Sequence, residues 1–361
     1  MFNELLAAPP YTIRQSEKED KLLSGLNALT EHHYKHCQSY QNIIKGIWGD
    51  RTTYQCIEDI PYLPVSLFKL HQLQSVPDEE VSITLTSSGT TGQNVSKILV
   101  NKETSSRQQK ALASSLKHVL GPKRLPMLII DTADVFKNPA MMSARGAGVL
   151  GMMRYGRDHC FSLKSDLSPD FDAVDAFFEK IDGKPFFIFG FTFMVWLNFF
   201  EKFLGRGYDL SQGILIHSGG WKKMIEQSVD NFVFRQKFRD QYSLQKIYNF
   251  YGMVEQIGSI FLEGEDGFLY PPNFTDVIIR NPKTWEPCKL GEEGVIQVVS
   301  LIPESYPGHS LLTEDLGVIE LINDGTDGRM GKALRILGRI KKAELRGCSD
   351  VIAASTPSNR D

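Results

Sequence analysis

Thr86-Ser87-Ser88-Gly89-Thr90-Thr91-Gly92 sets five hydroxyl side chains around two glycines. Nothing in a packed core requires that composition. Glycine lets the backbone reach positive φ and approach an anion closely, while Ser and Thr add O–H donors beside the backbone N–H groups. The stretch therefore reads either as a loop that holds phosphate or as a surface turn leading into a helix cap. It is not a Gly-Lys-[Ser/Thr] phosphate loop, because Gln93-Asn94 follows Gly92 and the nearest lysine is Lys97.

Outward from this loop the chain alternates. An apolar strand begins near Ser82, and the pattern then predicts a helix near Thr104 to Val119, a strand from Met127 to Asp131, and a Gly/Ala/Met-rich helical segment from Met141 to Tyr155. A helix from Phe171 to Ile181 follows, then a strand from Phe186 to Phe191 with its own helix. A strand from Gly213 to His217, a helix from Lys222 to Arg239 and a strand from Lys246 to Phe250 complete the series. This rhythm predicts an α/β, layered architecture. From Asp276 onward helices stop, and short strands are expected at Val277 to Arg280, Gly294 to Ser300, Gly317 to Leu321 and Ala333 to Leu337. Upstream, two mixed-periodicity helices, Glu17 to Leu29 and Glu31 to Trp48, precede Pro61-Tyr62-Leu63-Pro64. The expected organisation is a helical N-terminal cap over 1–80, an α/β core with a β-rich end over 81–337, and a short tail over 338–361 carrying Cys348.

Composition narrows the function. The 361 residues are 42% hydrophobic with a net charge of −3, enough for a sizeable core and too little positive charge for nucleic acid as the main partner. An anionic ligand must be held by local groups. The five cysteines are scattered, with neither a disulfide framework nor zinc spacing, which points to a reducing cytoplasm. Met1-Phe2-Asn3-Glu4-Leu5 has no basic region before an apolar one, so no signal peptide is expected. The apolar run from Phe186 to Phe200 falls short of the about 20 residues of a membrane span and reads as a buried strand, a turn and an apolar helix. Its aromatic rings are either core or the lining of a pocket for an apolar ligand.

Four further segments carry chemistry, three of them beyond strand ends where α/β sheets gather ligands. His217-Ser218-Gly219-Gly220-Trp221 follows a strand, and its glycines form either a plain strand-to-helix turn or a place where a flat ligand presses on the backbone. Tyr251-Gly252-Met253-Val254-Glu255 offers a ring that can stack on a base and a carboxylate that can bind a magnesium ion bridging phosphates. In Leu312-Thr313-Glu314-Asp315-Leu316-Gly317 a turn carboxylate either accepts two ribose hydroxyls or closes an Asx turn. Leu337-Gly338-Arg339-Ile340-Lys341-Lys342-Ala343-Glu344-Leu345-Arg346-Gly347-Cys348 is either a solvated charged face or a cationic setting that favours the thiolate of Cys348.

In this order the five segments resemble the core motifs of the adenylate-forming superfamily, which includes acyl-CoA ligases, luciferases and the adenylation domains of peptide synthetases. The resemblance implies ATP and Mg2+ as cofactors. Ser87, Ser88, Gly89, Thr90, Thr91 and Gly92 match its phosphate loop, Gly219 and Gly220 its nucleotide turn, and Tyr251-Gly252-Met253-Val254-Glu255 its Tyr-Gly-x-Thr-Glu motif. By the same resemblance Tyr251 and Gly252 hold the adenine, Glu255 the metal, and Asp315 and Arg339 the ribose. Pro185 to Leu197 resembles the acyl-pocket strand and helix of phenylacetate-CoA ligases, and the acyl pocket is expected to include Phe191, Phe193, Trp196 and the Met141 to Tyr155 segment.

The departures matter equally. Val254 replaces the usual Thr, Lys97 lies two positions beyond the family's loop lysine, and only 24 residues follow Leu337 where the superfamily has a mobile C-terminal domain with a catalytic lysine. A truncated C-terminal domain together with Cys348 resembles the LuxE family of acyl-protein synthetases, over nearly the whole chain. That family activates a fatty acid as its acyl-adenylate and moves it to a cysteine near the C-terminus, from which a partner acyl reductase takes it. The resemblance makes Cys348 the acyl acceptor and Arg339 the hinge-proximal arginine, and Lys341, Lys342 or Arg346 is expected to replace the missing catalytic lysine. The rival readings are an acyl-CoA or aryl-CoA ligase that uses free CoA, and a non-catalytic acyl-binding scaffold.

Overall fold

Phe186–Phe191 contains no polar side chain, and every one of its residues is buried, as a strand covered on both faces requires. The computed structural model describes residues 1–86, 95–136, 145–221 and 228–340. In chain order the elements begin with α1 (Phe2–Ala7), α2 (Gln15–His36), α3 (Gln38–Trp48), β1 (Leu63–Pro64), α4 (Leu67–Leu70), β2 (Val81–Thr86), β3 (Lys97–Asn101) and α5 (Lys102–Leu120). They continue with β4 (Leu125–Thr132), α6 (Ala147–Met153), β5 (Gly156–Leu163), α7 (Phe171–Ile181), β6 (Phe186–Phe191) and α8 (Thr192–Met194), which passes into a π-helical turn at Val195–Phe200. Next come β7 (Gly213–Ser218), α9 (Asn231–Tyr242), β8 (Lys246–Tyr251), β9 (Phe261–Glu263), β10 (Leu269–Tyr270), β11 (Thr275–Arg280), β12 (Gly294–Ser300), β13 (Ser310–Ile322) and β14 (Lys332–Arg339). No helix among the described residues is long and apolar enough to cross a membrane.

The chain gathers into two compact units. One comprises the described residues within 119–250, and the other those within 1–86, 95–118 and 251–340. In the first of these, strands lie in the order β8-β7-β6-β4-β5, all parallel. Met127 pairs with Phe187 and Ile129 with Phe189, while Gly190 pairs with His217 and Phe191 with Ser218. Because side chains alternate along a strand, Asp131, Phe191 and Ser218 share one face, and Ile130, Gly190 and His217 share the other. Helices α7 and α9 are started by Asp170 and Asp230, whose carboxylates accept from the N–H groups of Ala173 and Val233.

The other unit is built on an antiparallel sheet ordered β11-β12-β13-β14-β10-β9, with β1 parallel to β13, and on a β2-β3 hairpin. Leu22, Leu26 and Leu29 of α2 bury against Ile278, Val299 and Leu301, each contributing roughly 1.5–3 kcal/mol. A Cβ on Gly25 would stand 2.7 Å from Leu301 Cδ2, so glycine is what lets the helix come this close to the sheet. Tyr40 and Ile44 of α3 pack in the same way on Leu63, Val277, Val298 and Leu311.

Several boundaries differ from the sequence reading. The first long helix does not end at Leu29: Thr30 is buried inside it, and the break comes at Cys37, whose backbone is extended at φ −124° and ψ 99°. Strand β5 was absent from the expectation because Gly156-Arg157-Asp158-His159 opens it with exposed polar residues at a sheet edge. Thr313-Glu314-Asp315 is not a turn but the middle of the long strand β13. The helix expected from Lys222 to Arg239 is observed as α9, and residues 222–227 lie outside the described ones.

Candidate adenylate site

Strands β13 and β14 place Asp315 directly opposite Arg339. The register shifts by one residue beside this pair, since Leu316 faces Gly338 while Gly317 faces Ile336. A bulge of this kind bends the strand and re-aims the side chains next to it. Gly338 makes it possible, at a φ of 133° that residues with a Cβ rarely adopt.

Tyr251, the last residue of β8, completes the cluster. Its hydroxyl donates to Asp315 Oδ2 at 2.8 Å, and Arg339 Nε donates to Oδ1 at 3.2 Å. The Asp315 backbone N–H donates to Thr313 Oγ1 at 3.1 Å, and that hydroxyl donates to Ile296 O at 2.8 Å. Both carboxylate oxygens are thus oriented by protein donors, yet a carboxylate offers about four lone-pair sites, so two remain for ligand hydroxyls. Burial, reinforced by the Asp315 charge, pushes the Tyr251 phenol well above its ordinary pKa and keeps it a neutral donor. The structure therefore brings together Tyr251, Asp315 and Arg339, which lie far apart in the sequence. Gly252 beside them is exposed. Thr313 was the residue of this cluster that sequence reasoning gave no role, although it lies within the quoted segment.

Glu255 sits in the 3-10 turn Val254–Gln256 in the same unit, 6% exposed. Its backbone is pinned by the Tyr306 hydroxyl, which donates to Glu255 O at 2.9 Å. Burial raises the pKa of its carboxyl, opposed by a hydrogen bond from Ser96 and the charge of Lys69, and assisted by Glu314. Among the described residues no group of three or more His, Cys, Asp or Glu is arranged to hold a metal. A buried carboxylate of raised pKa fits a magnesium ion that takes one protein ligand and fills its remaining positions with phosphate oxygens and water.

In the parallel unit Gly219 and Gly220 follow β7 and are both exposed. Gly219 has φ +86°, and no atom of the described residues lies within 4 Å of where a Cβ on Gly220 would stand. The Phe191 ring is 3.4 Å from the corresponding position on Gly219 and 3.1 Å from that on Gly148 of α6. Phe191, Phe193 and Trp196 are all buried. Phe191 stands on the Asp131 face. Trp196 stacks on Phe200 at 4.4 Å and lies 5.6 Å from Phe234, whose ring stacks at 4.7 Å on His217 of the opposite face. His217 Nδ1 is 2.9 Å from Thr192 Oγ1, and burial together with the charge of Arg235 takes its pKa down to about 3, so the ring is neutral.

Ser87, Ser88, Gly89, Thr90, Thr91 and Gly92 lie outside the described residues, as do Lys341, Lys342 and Cys348 and the start of the Met141 to Tyr155 segment. One pair had no individual role in the sequence reading: Asp131 and Arg145, the latter within the Met141 to Tyr155 segment, both buried and joined to each other. No motif announces them, because only the fold brings them together.

A family model described as acyl-protein synthetase, LuxE, matches residues 2–356. The chain is 25% identical over 352 residues to a long-chain-fatty-acid–luciferin-component ligase of Vibrio harveyi, covering 93% of this chain and 87% of that protein. It is likewise 25% identical over 360 residues to the protein of that name from Aliivibrio fischeri, covering 93% and 88%. An open conformation of 2-hydroxyisobutyryl-CoA ligase, in complex with 2-HIB-AMP and CoA, shares the fold with a TM-score of 0.65 at 15% identity, covering 93% of this chain and 78% of that one.

Proposed function

The chain belongs to the LuxE family of acyl-protein synthetases, and from that premise we propose that it activates a long-chain fatty acid with ATP, carries the acyl group on Cys348 and delivers it to an acyl reductase. The observation that carries this reading is the Tyr251–Asp315–Arg339 cluster, a carboxylate held in place by two donors with acceptor capacity to spare. The ring of Tyr251 and the exposed Gly252 receive the adenine, and Asp315 and Arg339 hold the ribose hydroxyls. Gly219 and Gly220 give the nucleotide open backbone to lie against. Ser87, Ser88, Gly89, Thr90, Thr91 and Gly92 cradle the β- and γ-phosphates. Glu255 would hold the magnesium ion, which when bound neutralises charge on the phosphates.

The chemistry proceeds in two displacements. A carboxylate oxygen of the acid attacks the α-phosphorus, a C–O–P mixed anhydride forms, and the bond to pyrophosphate breaks. The Cys348 thiolate then attacks the acyl carbonyl, a thioester forms, and AMP leaves with the electron pair of the broken C–O bond. Activation is necessary because hydroxide is a far poorer leaving group than AMP. Arg339 ends β14, and Ile340 keeps the ladder going one residue further by donating its N–H to Glu314 O at 3.0 Å. Lys341 and Lys342 come next in the chain and would supply the positive charge of the missing catalytic lysine. Phe191, Phe193 and Trp196 belong to the apolar region that receives the acyl chain.

The test is incubation with ATP, magnesium and a radiolabelled fatty acid, for the wild type and Cys348→Ser. Acyl-AMP is expected from both proteins, and a hydroxylamine-labile protein label from the wild type alone. Absence of acyl-AMP from the wild type, or a thioester label on the variant, refutes the mechanism. Unchanged acyl transfer to free CoA by Cys348→Ser identifies a CoA ligase instead.

A further inference from the structure

Arg145 stands two residues before the start of α6 and Asp131 near the end of β4, and both are 1% exposed. Arg145 Nε donates to Asp131 Oδ2 at 2.6 Å, and its Nη2 donates to Oδ1. This two-point clamp fixes the plane of the guanidinium. It also leaves Nη1 aside: among the described residues, that buried amino group has no hydrogen-bond partner. A buried donor without a partner is costly, so its partner is to be sought in what the site binds.

The surroundings indicate what completes it. Asp131 and Phe191 share a face of the parallel sheet at the carboxyl ends of β4 and β6, the side on which such sheets receive ligands. The Phe191 ring spans from Gly148 of α6, three residues beyond Arg145, to Gly219 after β7. A charge-neutral Arg–Asp pair with a spare N–H2 group thus shares a sheet face with an aromatic ring, which matches a ligand with an acceptor head and an apolar body. We propose that Arg145 is a substrate-binding residue whose Nη1 donates to the carboxylate of the fatty acid, with Asp131 as its positioning residue and the Phe191 ring against the first carbons of the chain.

This inference rests on the acyl-activation reading, and its test separates the two. The acid-dependent exchange of pyrophosphate into ATP is measured with hexadecanoate as the probe and hexadecanol as a competitor. Arg145→Lys loses the two-point clamp. The double variant R145M/D131L removes both charges together, so that no buried charge is left uncompensated. For both, the half-saturating hexadecanoate concentration is expected to rise at least tenfold, that for ATP to stay within twofold, and hexadecanol to compete as well as the acid. Failure of the wild type to exchange at all refutes acyl activation. Exchange by the wild type, with an unchanged hexadecanoate requirement in the variants or an equal rise for ATP, overturns the role of Arg145 alone. Should the variants not fold, wild-type protein labelled with guanidino-15N arginine carries the same test. A slowly exchanging guanidinium resonance that moves with hexadecanoate and not with hexadecanol supports the assignment, and one that ignores both overturns it.

Discussion

Tyr251→Phe deletes one atom from the candidate adenylate site and leaves the ring in place, 5.9 Å from Phe261. The lost interaction is a 2.8 Å hydrogen bond to a carboxylate, a kind worth about 1.5–3 kcal/mol. The Asp315 side chain is 17% exposed and that of Arg339 31%, so water partly replaces the lost donor and the lower end applies, about 1.5 kcal/mol. With a urea dependence of ~3 kcal/mol per molar, the unfolding midpoint is expected to fall by roughly 0.5 M. Nucleotide affinity, read by calorimetry with ATP, is expected to fall about tenfold, because Asp315 loses one of the two donors that orient it. Arg339→Met removes the other donor. Since both act on one carboxylate, the double variant is expected to depart from additivity by at least ~0.5 kcal/mol. An unchanged midpoint for Tyr251→Phe, or strict additivity in the cycle, refutes the view that Asp315 is held by this pair.

Three further outcomes are expected. Glu255 has its pKa raised above the ordinary 4.5 by burial, so the native state holds this proton more tightly than the unfolded chain and stability falls as pH rises through the native value. Glu255→Gln is therefore expected to raise the unfolding midpoint at pH 7 and not at pH 4, while magnesium-dependent exchange drops roughly a hundredfold; a less stable variant at pH 7 contradicts this. His309 titrates at about 3 because it is buried, so the stability it contributes is complete above pH 6.5 and is lost as pH falls toward the native value. His309→Gln is expected to flatten the acid limb of a stability–pH curve by up to ~1.4 kcal/mol per pH unit, and an identical slope would count against it. Gly219→Ala, at φ +86°, is expected to cost about 1 kcal/mol, whereas Gly220→Ala, with open space at its Cβ position, leaves the urea midpoint within ~0.5 kcal/mol; equal effects at the two positions would contradict the conformational account.

Much of the parallel unit was legible because its signals are local. Phe171–Ile181 and Phe186–Phe191 have the expected bounds, the helix through its capping Asp170 and apolar spacing, the strand through an unbroken run of large apolar residues. Strand β5 was not legible, since an edge strand with one wet face lacks that run. The break between α2 and α3 was misplaced because a Thr in mid-helix resembles a cap until tertiary packing buries it. In the site, Tyr251, Asp315 and Arg339 were found through motifs, but their mutual hydrogen bonds depend on strand register, which a one-residue bulge resets. The side of the sheet that the Phe191 ring occupies follows from pairing parity, which nearness in sequence does not reveal. Arg145 illustrates the limit most clearly, for its significance lies in an unfilled donor that no sequence pattern encodes.

The hydrogen bond from Ile340 to Glu314 ties the last described residue to β13. Cys348 follows eight residues later in the chain, and no segment of that length spans more than about 28 Å. A thiol bounded to a sphere of that radius has an effective concentration on the order of 20 mM. On the proposed function, dissolved thiols below that concentration are outcompeted for the acyl group, so covalent geography alone biases where it lands.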